Sequence, residues 1–192
     1  MDIDLWEQTR ESIKQNRLEE ALAHLEHGLA NCESPRFKGL LGADFTNNPE
    51  SIAEHINSFI EICEAKFPVE AIYFEMNGFS INVDLWYFDS FGYRRYVETP
   101  HDLEWLPYWN SDDFPALELP GLEAVQSDYD WYSFKQGHED QKARAAESFA
   151  CLLVMCKFAR LIGRTVATKK IKKRLPILAS AHDFDIIPQF QS

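Results

Sequence analysis

Residues 71–96 constrain the fold of this chain more than any other stretch. They read AIYFEMNGFSINVDLWYFDSFGYRRY, in which β-branched and aromatic residues alternate with polar ones, a pattern typical of strands. Asn77-Gly78 is a strong hairpin signal, because both central residues of a type I′ turn need positive φ. The stretch therefore predicts an antiparallel β-meander over about residues 69–97, with YRRYVE as its third strand. A two-residue turn would bring six apolar side chains onto one face: Met76 opposite Phe79, Phe74 opposite Ile81, and Ile72 opposite Val83.

The same register places Trp86 and Phe88 on the polar face of the hairpin, in line with Asn82 and Asp84. Two roles are open to these aromatic side chains: they pack beneath a covering loop, or they extend an exposed binding surface. An exposed strand that carries both of them would invite aggregation. Burial is therefore the preferred interpretation for Trp86.

The chain before the meander carries helical periodicity. Apolar residues recur every three or four positions along residues 18–29, and a shorter apolar pattern ends near Asn16. Asn48 and Pro49 supply a cap and a first turn for a further helix, which Pro68 ends. Residues 1–67 are therefore predicted to be a helical N-terminal part.

The chain after the meander is loop-rich and then helical. A short helix is predicted after Pro120, and a long C-terminal helix at residues 139–162 is predicted to end at Gly163. The segment TKKIKKRL is expected to form one more short helix, and HDFDII a final edge strand. The fold class that follows is α+β in a single domain, residues 1–192, with the meander packed against the long C-terminal helix.

Charge is divided unevenly along the chain. The formal net charge is −12, yet residues 157–174 hold eight lysines and arginines and no acid. Residues 1–156 hold 29 acidic and 11 basic side chains. Because nucleic-acid binding needs a basic footprint, the acidic body predicts no nucleic-acid partner. The basic segment TKKIKKRL is expected to dock on this acidic body, with contact to nucleic acid or a membrane surface as the alternatives.

Residues 98–130, the acidic aromatic segment, hold nine acids, and no lysine or arginine occurs between Arg95 and Lys135. One interpretation is a solvated acidic loop whose aromatic side chains cover the core. The other is a protein-binding surface, because large rigid aromatic side chains supply contact area at low entropic cost and acids steer a basic partner. The predicted partner-binding residues are Trp105, Tyr108, Trp109, Asp112, Asp113, Asp128, Asp130 and Trp131.

The sequence contains no motif that indicates a particular chemistry. GxSxG, GxGxxG and GxxxxGK[ST] are missing, and His24 and His27 lie three apart without a zincin pattern. The four cysteines form no CxxC pair, and Cys63 and Cys151 fall on apolar helix faces, where a thiol packs as a small hydrophobe. We therefore expect no catalytic residues, no metal site and no cofactor.

The functional hypothesis that follows is a small acidic binding protein of the cytoplasm, without catalysis, which engages a basic protein through its acidic aromatic surface. The polar N-terminal sequence and the lack of a long apolar run argue against a signal peptide and a membrane partner. Bacterial toxin-neutralising immunity proteins share these properties at the level of composition. The alternative is an enzyme or small-ligand-binding domain with a pocket between the aromatic face of the sheet and the acidic loop. The sequence predicts no particular oligomeric state.

Overall fold

A computed structural model of the chain describes residues 2–15, 17–78, 85–97, 104–135, 137–185 and 187–192. The described residues form five α-helices and five strands, which confirms the α+β class, the helical N-terminal part and the long C-terminal helix. None of these helices is both long and apolar enough to cross a membrane. In chain order the elements are α1 (Ile3–Lys14), α2 (Leu18–Asn31), α3 (Pro49–Glu64), β1 (Ala71–Asn77), β2 (Tyr87–Tyr93), β3 (Leu117–Glu118), α4 (Glu123–Phe134), α5 (Gln141–Ala167), β4 (Pro176–Ala181) and β5 (Gln189–Gln191).

The sheet is mixed, with strand order β3-β2-β1-β4-β5. The central strand β1 pairs antiparallel with β2 and parallel with β4. Alternation along the strands gives the sheet two faces. The inner face, with Ile72, Phe74 and Met76, joins the main core, to which α2, α3 and α5 contribute their buried sides. The outer face, with Ala71 and Tyr73, lies on the opposite side and forms a second, smaller apolar cluster.

The start of α3 follows from its sequence as predicted. The side chain of Asn48 accepts a hydrogen bond from the backbone N–H of Glu50 at 2.8 Å, and Pro49 occupies the first turn. The predicted apolar stripe of this helix, from Ile52 to Cys63, is buried in the main core. Capping and periodicity therefore determine this helix locally.

The predicted end of the long C-terminal helix at Gly163 is wrong, because α5 continues to Ala167. A Cβ at position 163 would lie 2.9 Å from the ring of Phe190 in β5. The glycine therefore serves close packing of β5 against the helix and does not end it.

The prediction of a two-residue hairpin turn is also wrong. Asn77 belongs to β1 and pairs with Tyr87, so the connection to β2 spans residues 78–86. Gly78 does not have the positive φ that a type I′ turn requires. In the observed register Ile72 lies opposite Gly92, Phe74 opposite Ser90, and Met76 opposite Phe88.

Burial of Trp86 and Phe88 accounts for this register. Both side chains are fully buried in the main core, with Phe88 opposite Met76 and Trp86 in edge-on contact with Tyr129. A slip of one residue would turn the β2 side chains to the other face, so this burial outweighs the local hairpin signal. The burial predicted for Trp86 is confirmed, whereas its placement on the polar face is wrong. The remaining residues of the predicted hairpin, Phe79, Ile81, Asn82, Val83 and Asp84, lie outside the described residues.

The other strands also differ from expectation. YRRYVE does not supply the third strand, because β2 ends at Tyr93 and the next strand is the short β3. HDFDII follows β4 and does not form the last strand, which is β5. The sequence of β4, PILASA, is short and ends in small residues, so periodicity alone gave no signal for it.

The basic segment TKKIKKRL does not form the predicted helix; residues 168–175, all described, lie outside any helix. Docking on the acidic body is confirmed, and its main partner is α3. The side chain of Asn57 accepts from the backbone N–H of Lys172 at 2.9 Å and donates to the carbonyl oxygen of Lys170 at 3.0 Å. Three ion pairs accompany these bonds: Lys170 with Glu50, Lys172 with Glu61, and Lys173 with Glu64.

Candidate functional site

The outer sheet face carries the first of two groups into which the predicted partner-binding residues fall. Its floor contains Tyr73 and Phe91, whose rings stack with centroids 6.0 Å apart, and Tyr93, which is almost fully buried. Residues 104–111 pack against this floor. Residues 104–111 of the acidic aromatic segment therefore cover part of the sheet on the side away from the helices.

Trp105 is fixed to this floor by Tyr93. The Tyr93 hydroxyl donates to the carbonyl oxygen of Leu106 at 2.8 Å, and the rings of Trp105 and Tyr93 meet edge-on at 4.6 Å. Tyr96 makes a second edge-on contact with Trp105 at 5.8 Å. Trp105 is half-buried as a result, so it belongs partly to the fold and partly to the surface.

Tyr108 and Trp109 are presented to solvent on a well-supported backbone. The Trp109 ring lies against Phe91 with centroids 4.9 Å apart, yet 48% of the residue is exposed, and Tyr108 is 77% exposed. The backbone beyond them is bonded to Gly92 of β2, whose carbonyl oxygen accepts from the N–H of Asn110 at 2.8 Å. Two adjacent aromatic side chains therefore form an exposed patch that needs little further ordering to bind.

Asp112 and Asp113 follow this patch and differ in their partners. Asp112 forms an ion pair with Lys66. Asp113 is exposed, and no cation among the described residues pairs with it. The charge of Asp113 is therefore available to a partner molecule.

Asp128 has a structural role on α4, which packs into the main core. Its carboxylate accepts hydrogen bonds from the backbone N–H of Phe37 at 2.7 Å and from Nη1 of Arg36 at 3.0 Å. Phe37 has a left-handed backbone with φ of 62°, which costs energy for a bulky residue and which the Asp128 bond offsets. The structure therefore uses Asp128 to hold the loop that follows α2.

Asp130 and Trp131 lie on α4 with Asp128, and these three residues form the second group of predicted partner-binding residues. The Asp130 carboxylate pairs with Lys135 at 2.7 Å, and the guanidinium of Arg36 lies 4.3 Å from the ring centroid of Trp131. Trp131 lies on α4 and is not part of the apolar cluster on the outer sheet face. The structure thus brings together Trp105, Tyr108, Trp109, Asp112 and Asp113, and places Asp128, Asp130 and Trp131 elsewhere.

A cluster of ionisable side chains, which the sequence did not reveal, lies farther along the outer sheet face. Glu75 accepts from the Tyr73 hydroxyl at 3.1 Å and lies 2.8 Å from Nδ1 of His182. Asp89 is directly opposite Glu75 in the strand pair. Burial, Glu75 and Asp113 raise the pKa of Asp89, and the hydrogen bond to Glu75 raises the pKa of His182. The cluster joins β1, β2 and the residue that follows β4, so only the correct register could have predicted it.

A groove of about 380 Å³ opens near Tyr93 at the other end of the face. Arg94 and Arg95 lie at this groove. They were not among the predicted site residues, because the neighbouring segment is so acidic. The signal that could have drawn attention to them is YRRY, in which two cations stand between aromatic residues. The full lining is Tyr93, Arg94, Arg95, Val97, Trp105, Tyr108 and Asn110.

Burial disfavours ionisation of three of the four cysteines. Burial raises the pKa of Cys63 to about 11 and that of Cys156 to about 12, and it raises the pKa of Cys151 well above the ordinary thiol value. These side chains are protonated at neutral pH, and all three are buried, as predicted for Cys63 and Cys151. Across the described residues, no group of three or more histidine, cysteine or acidic side chains is arranged to hold a metal ion.

No protein-family model, no curated protein and no solved structure matches this chain.

Proposed function

We propose that this chain is a non-catalytic binding protein whose outer sheet face engages a basic protein. The observation that carries the proposal is the exposed pair Tyr108 and Trp109, which stands on a backbone bonded to β2. Exposed aromatic side chains with a fixed backbone are frequent anchors in protein interfaces, because they bury much area and lose little entropy. A rigid platform also lowers the ordering cost of association.

The acidic side chains of the outer sheet face support a basic partner. Asp113 follows the aromatic pair in the chain, and Asp89 and Glu75 lie opposite each other on the outer sheet face. The formal net charge of −12 adds a negative field at longer range. Such a field raises the association rate of a positively charged protein and disfavours acidic ones.

A specific form of the proposal is a toxin-neutralising protein of the immunity type in a bacterial cytoplasm. A protein of this kind acts by covering a functional surface of its target, so it needs complementary shape and charge and no chemistry of its own. The acidity of the chain and its accessible aromatic pair support this form of the proposal.

Site-specific crosslinking tests the proposal. p-Benzoylphenylalanine replaces Tyr108 in one variant and Phe134 in a control, since Phe134 is 64% exposed but lies on α4. Irradiation in a lysate of the source cells should give an adduct of one discrete mass, with a basic protein, at position 108 only. Raising NaCl to about 0.5 M should reduce its yield, because screening weakens steering between exposed charges.

Competition makes the result specific to the aromatic pair. Excess unlabelled wild-type protein should abolish the adduct, whereas excess Tyr108→Ala/Trp109→Ala protein should not. Equal adducts at positions 108 and 134, an acidic target, or competition by the double variant would each refute the proposed function.

A further inference from the structure

We infer that a cluster of ionisable side chains on the outer sheet face is an acid-operated switch for the proposed binding. Mild acid adds protons to His182 and Asp89, and the less negative face then releases a basic protein. The inference rests on the proposed function, because it concerns the regulation of the same surface. The ionisable cluster consists of Tyr73, Glu75, Asp89 and His182.

The ionisable cluster is continuous with the platform that presents the exposed aromatic pair. Asp89 and Phe91 are two residues apart in β2 and therefore lie on the same face of the sheet, and the Trp109 ring lies against Phe91. On the neighbouring strand the ring of Tyr73 stacks on that of Phe91, and the Tyr73 hydroxyl donates to Glu75 at 3.1 Å. A protein that contacts the aromatic pair therefore meets the charge of the cluster as well.

Proton uptake is favoured at two positions of the cluster. Glu75 and Asp89 lie directly opposite each other on paired strands, where Cβ atoms are about 5 Å apart and like charges repel. Burial, Glu75 and Asp113 raise the pKa of Asp89. The hydrogen bond from His182 to Glu75, at 2.8 Å, raises the pKa of His182, which burial alone would lower. As the pH falls, both groups therefore take up protons before ordinary carboxylates do.

The surroundings of the cluster do not offset this change of charge. Asp183 also faces His182, with its Oδ1 3.6 Å from Nε2, and no lysine or arginine in the described part of the chain forms an ion pair with Glu75 or Asp89. The side chain of His182 is 48% exposed and that of Glu75 is 30% exposed, so both are accessible to a partner. Glu75 and Asp89 supply two negative charges while His182 is neutral, and protonation of His182 and Asp89 cancels both.

A basic partner and protons compete for the cluster. The partner stabilises the negatively charged forms, so proton uptake weakens binding by the same coupling free energy with which binding opposes proton uptake. Protonation keeps the contact between His182 and Glu75, because an imidazolium is a stronger donor to a carboxylate than a neutral ring. Acid therefore weakens binding while this contact between β1 and the end of β4 persists.

NMR titration of the isotope-labelled protein tests the proton coupling without any partner. In Glu75→Gln the pKa of Asp89 and the pKa of His182 should both fall, because Glu75 raises each of them in the wild type. Glu70→Gln is the matched control, since Glu70 lies just before β1, at the other end of the strand from Glu75, and it should change neither value. An unchanged pKa of either group in Glu75→Gln would refute the coupled switch.

Crosslinking from p-benzoylphenylalanine at position 108 tests the consequence for binding. With the protein at the concentration that gives half-maximal adduct at about pH 7.5, a change to about pH 5 should reduce the yield about fivefold or more. Each exposed charge contact contributes up to about that factor. Asp89→Asn/His182→Gln in the same protein should reduce this pH effect to about twofold or less, because neither replacement titrates.

A second double variant separates the cluster from general charge effects. His138→Gln/Glu139→Gln removes a histidine and an acid from an exposed turn before α5 and should keep the wild-type pH effect. The same pH effect in wild type and in Asp89→Asn/His182→Gln, or none in wild type, would refute the switch but leave the proposed function intact. A lack of any specific adduct at neutral pH would instead refute the proposed function and the switch together. Circular dichroism at both pH values establishes that the variants are folded.

Discussion

The tryptophans of this protein occupy very different environments, and stability depends on them accordingly. Trp86 is fully buried, and its ring meets that of Tyr129 at 5.5 Å. Trp109 packs on Phe91 but keeps about half of its surface in water. Because the gain from an aromatic side chain scales with the area removed from water, Trp86 should contribute far more to folding than Trp109.

Replacement of each tryptophan by alanine measures this difference. Trp86→Ala should lower the free energy of unfolding by about 3–5 kcal/mol, because it leaves a large cavity in the core. Trp109→Ala, the matched control, should cost about 1 kcal/mol or less. Urea unfolding followed by circular dichroism gives both values. Similar losses for the two variants would contradict the burial described for Trp86.

Two histidines differ in the sign of their coupling to pH. His55 of α3 is half-buried with its ring edge-on to Phe114 at 4.8 Å, and its Nε2 has no hydrogen-bond partner among the described residues. Burial lowers the pKa of His55, so the folded state disfavours its protonation. The hydrogen bond to Glu75 raises the pKa of His182, so the folded state favours its protonation. Acid should therefore act on the two side chains in opposite directions.

Replacement of each histidine by glutamine tests how its protonation changes stability with pH. A His55 pKa below the unfolded value of about 6.5 means that wild type loses stability relative to His55→Gln as the pH falls below about 6.5. For His182 the raised pKa means that wild type gains stability relative to His182→Gln as the pH falls through the folded-state pKa toward about 6.5. Thermal unfolding between about pH 5 and pH 8 tests both statements. Parallel pH profiles for the two variants would disprove the assignment.

At the scale of elements, a buried lysine holds α5, α2 and the loop before α3 together. Lys157 of α5 is 1% exposed and donates to Glu26 of α2 at 2.9 Å and to the carbonyl oxygen of Ala43 at 2.6 Å. One turn farther along, Arg160 pairs with Asp44 of the same loop at 2.8 Å. A buried ammonium needs such partners, because its desolvation is otherwise costly.

Glutamine at position 26 should expose this dependence. Glu26→Gln leaves the buried Lys157 without a counter-charge and should cost about 3 kcal/mol of unfolding free energy. Glu19→Gln is the matched control on the same helix, since Glu19 is 73% exposed and its contact with Arg160 is long, at 3.5 Å. The control should cost about 1 kcal/mol or less. Chemical denaturation of both variants provides the comparison, and equal costs would contradict a special role for the pair of Lys157 and Glu26.

The sequence predicted those elements whose signals are local. Asn48 and Pro49 identify the start of α3 because a cap and a first turn depend on adjacent residues. The Asn77-Gly78 signal failed because the register is decided by Trp86 and Phe88, which are buried against distant parts of the chain. Gly163 was misleading for the same reason, since its partner Phe190 comes from another element.

The same difference between local signals and distant contacts applies to the candidate site. Exposure of Tyr108 and Trp109 fits the expected surface, and both residues lie close together in sequence. The role of Asp128 could not be predicted, because its partners Arg36 and Phe37 lie far away in the chain. The proximity of Glu75, Asp89 and His182 likewise depends on pairing among three strands.

For the whole molecule, the basic segment offsets part of a large negative charge. Three of the four lysines of this segment, Lys170, Lys172 and Lys173, pair with acids of α3, and most of these side chains are well exposed. Exposed ion pairs are weak individually and are screened by salt. Their joint effect should therefore be visible at low ionic strength.

Removal of the three lysine charges tests this balance. Lys170→Gln/Lys172→Gln/Lys173→Gln should lower the free energy of unfolding by about 1–2 kcal/mol in dilute buffer, because three favourable pairs are lost. The difference from wild type should shrink at about 0.5 M NaCl. Lys169→Gln/Arg174→Gln removes charges that pair with no described residue and should have a smaller effect. A loss that is independent of salt would contradict an electrostatic origin.

The central position of β1 has a consequence for the order of events during synthesis on the ribosome. One edge of β1 is paired by β2, which emerges soon afterwards, but the other edge waits for β4. That partner lies roughly a hundred residues later, a separation that slows sheet formation. Until residues 176–181 leave the exit tunnel, the edge of β1 that pairs with β4 has no strand beside it. That edge is accessible to chaperones and to other nascent chains.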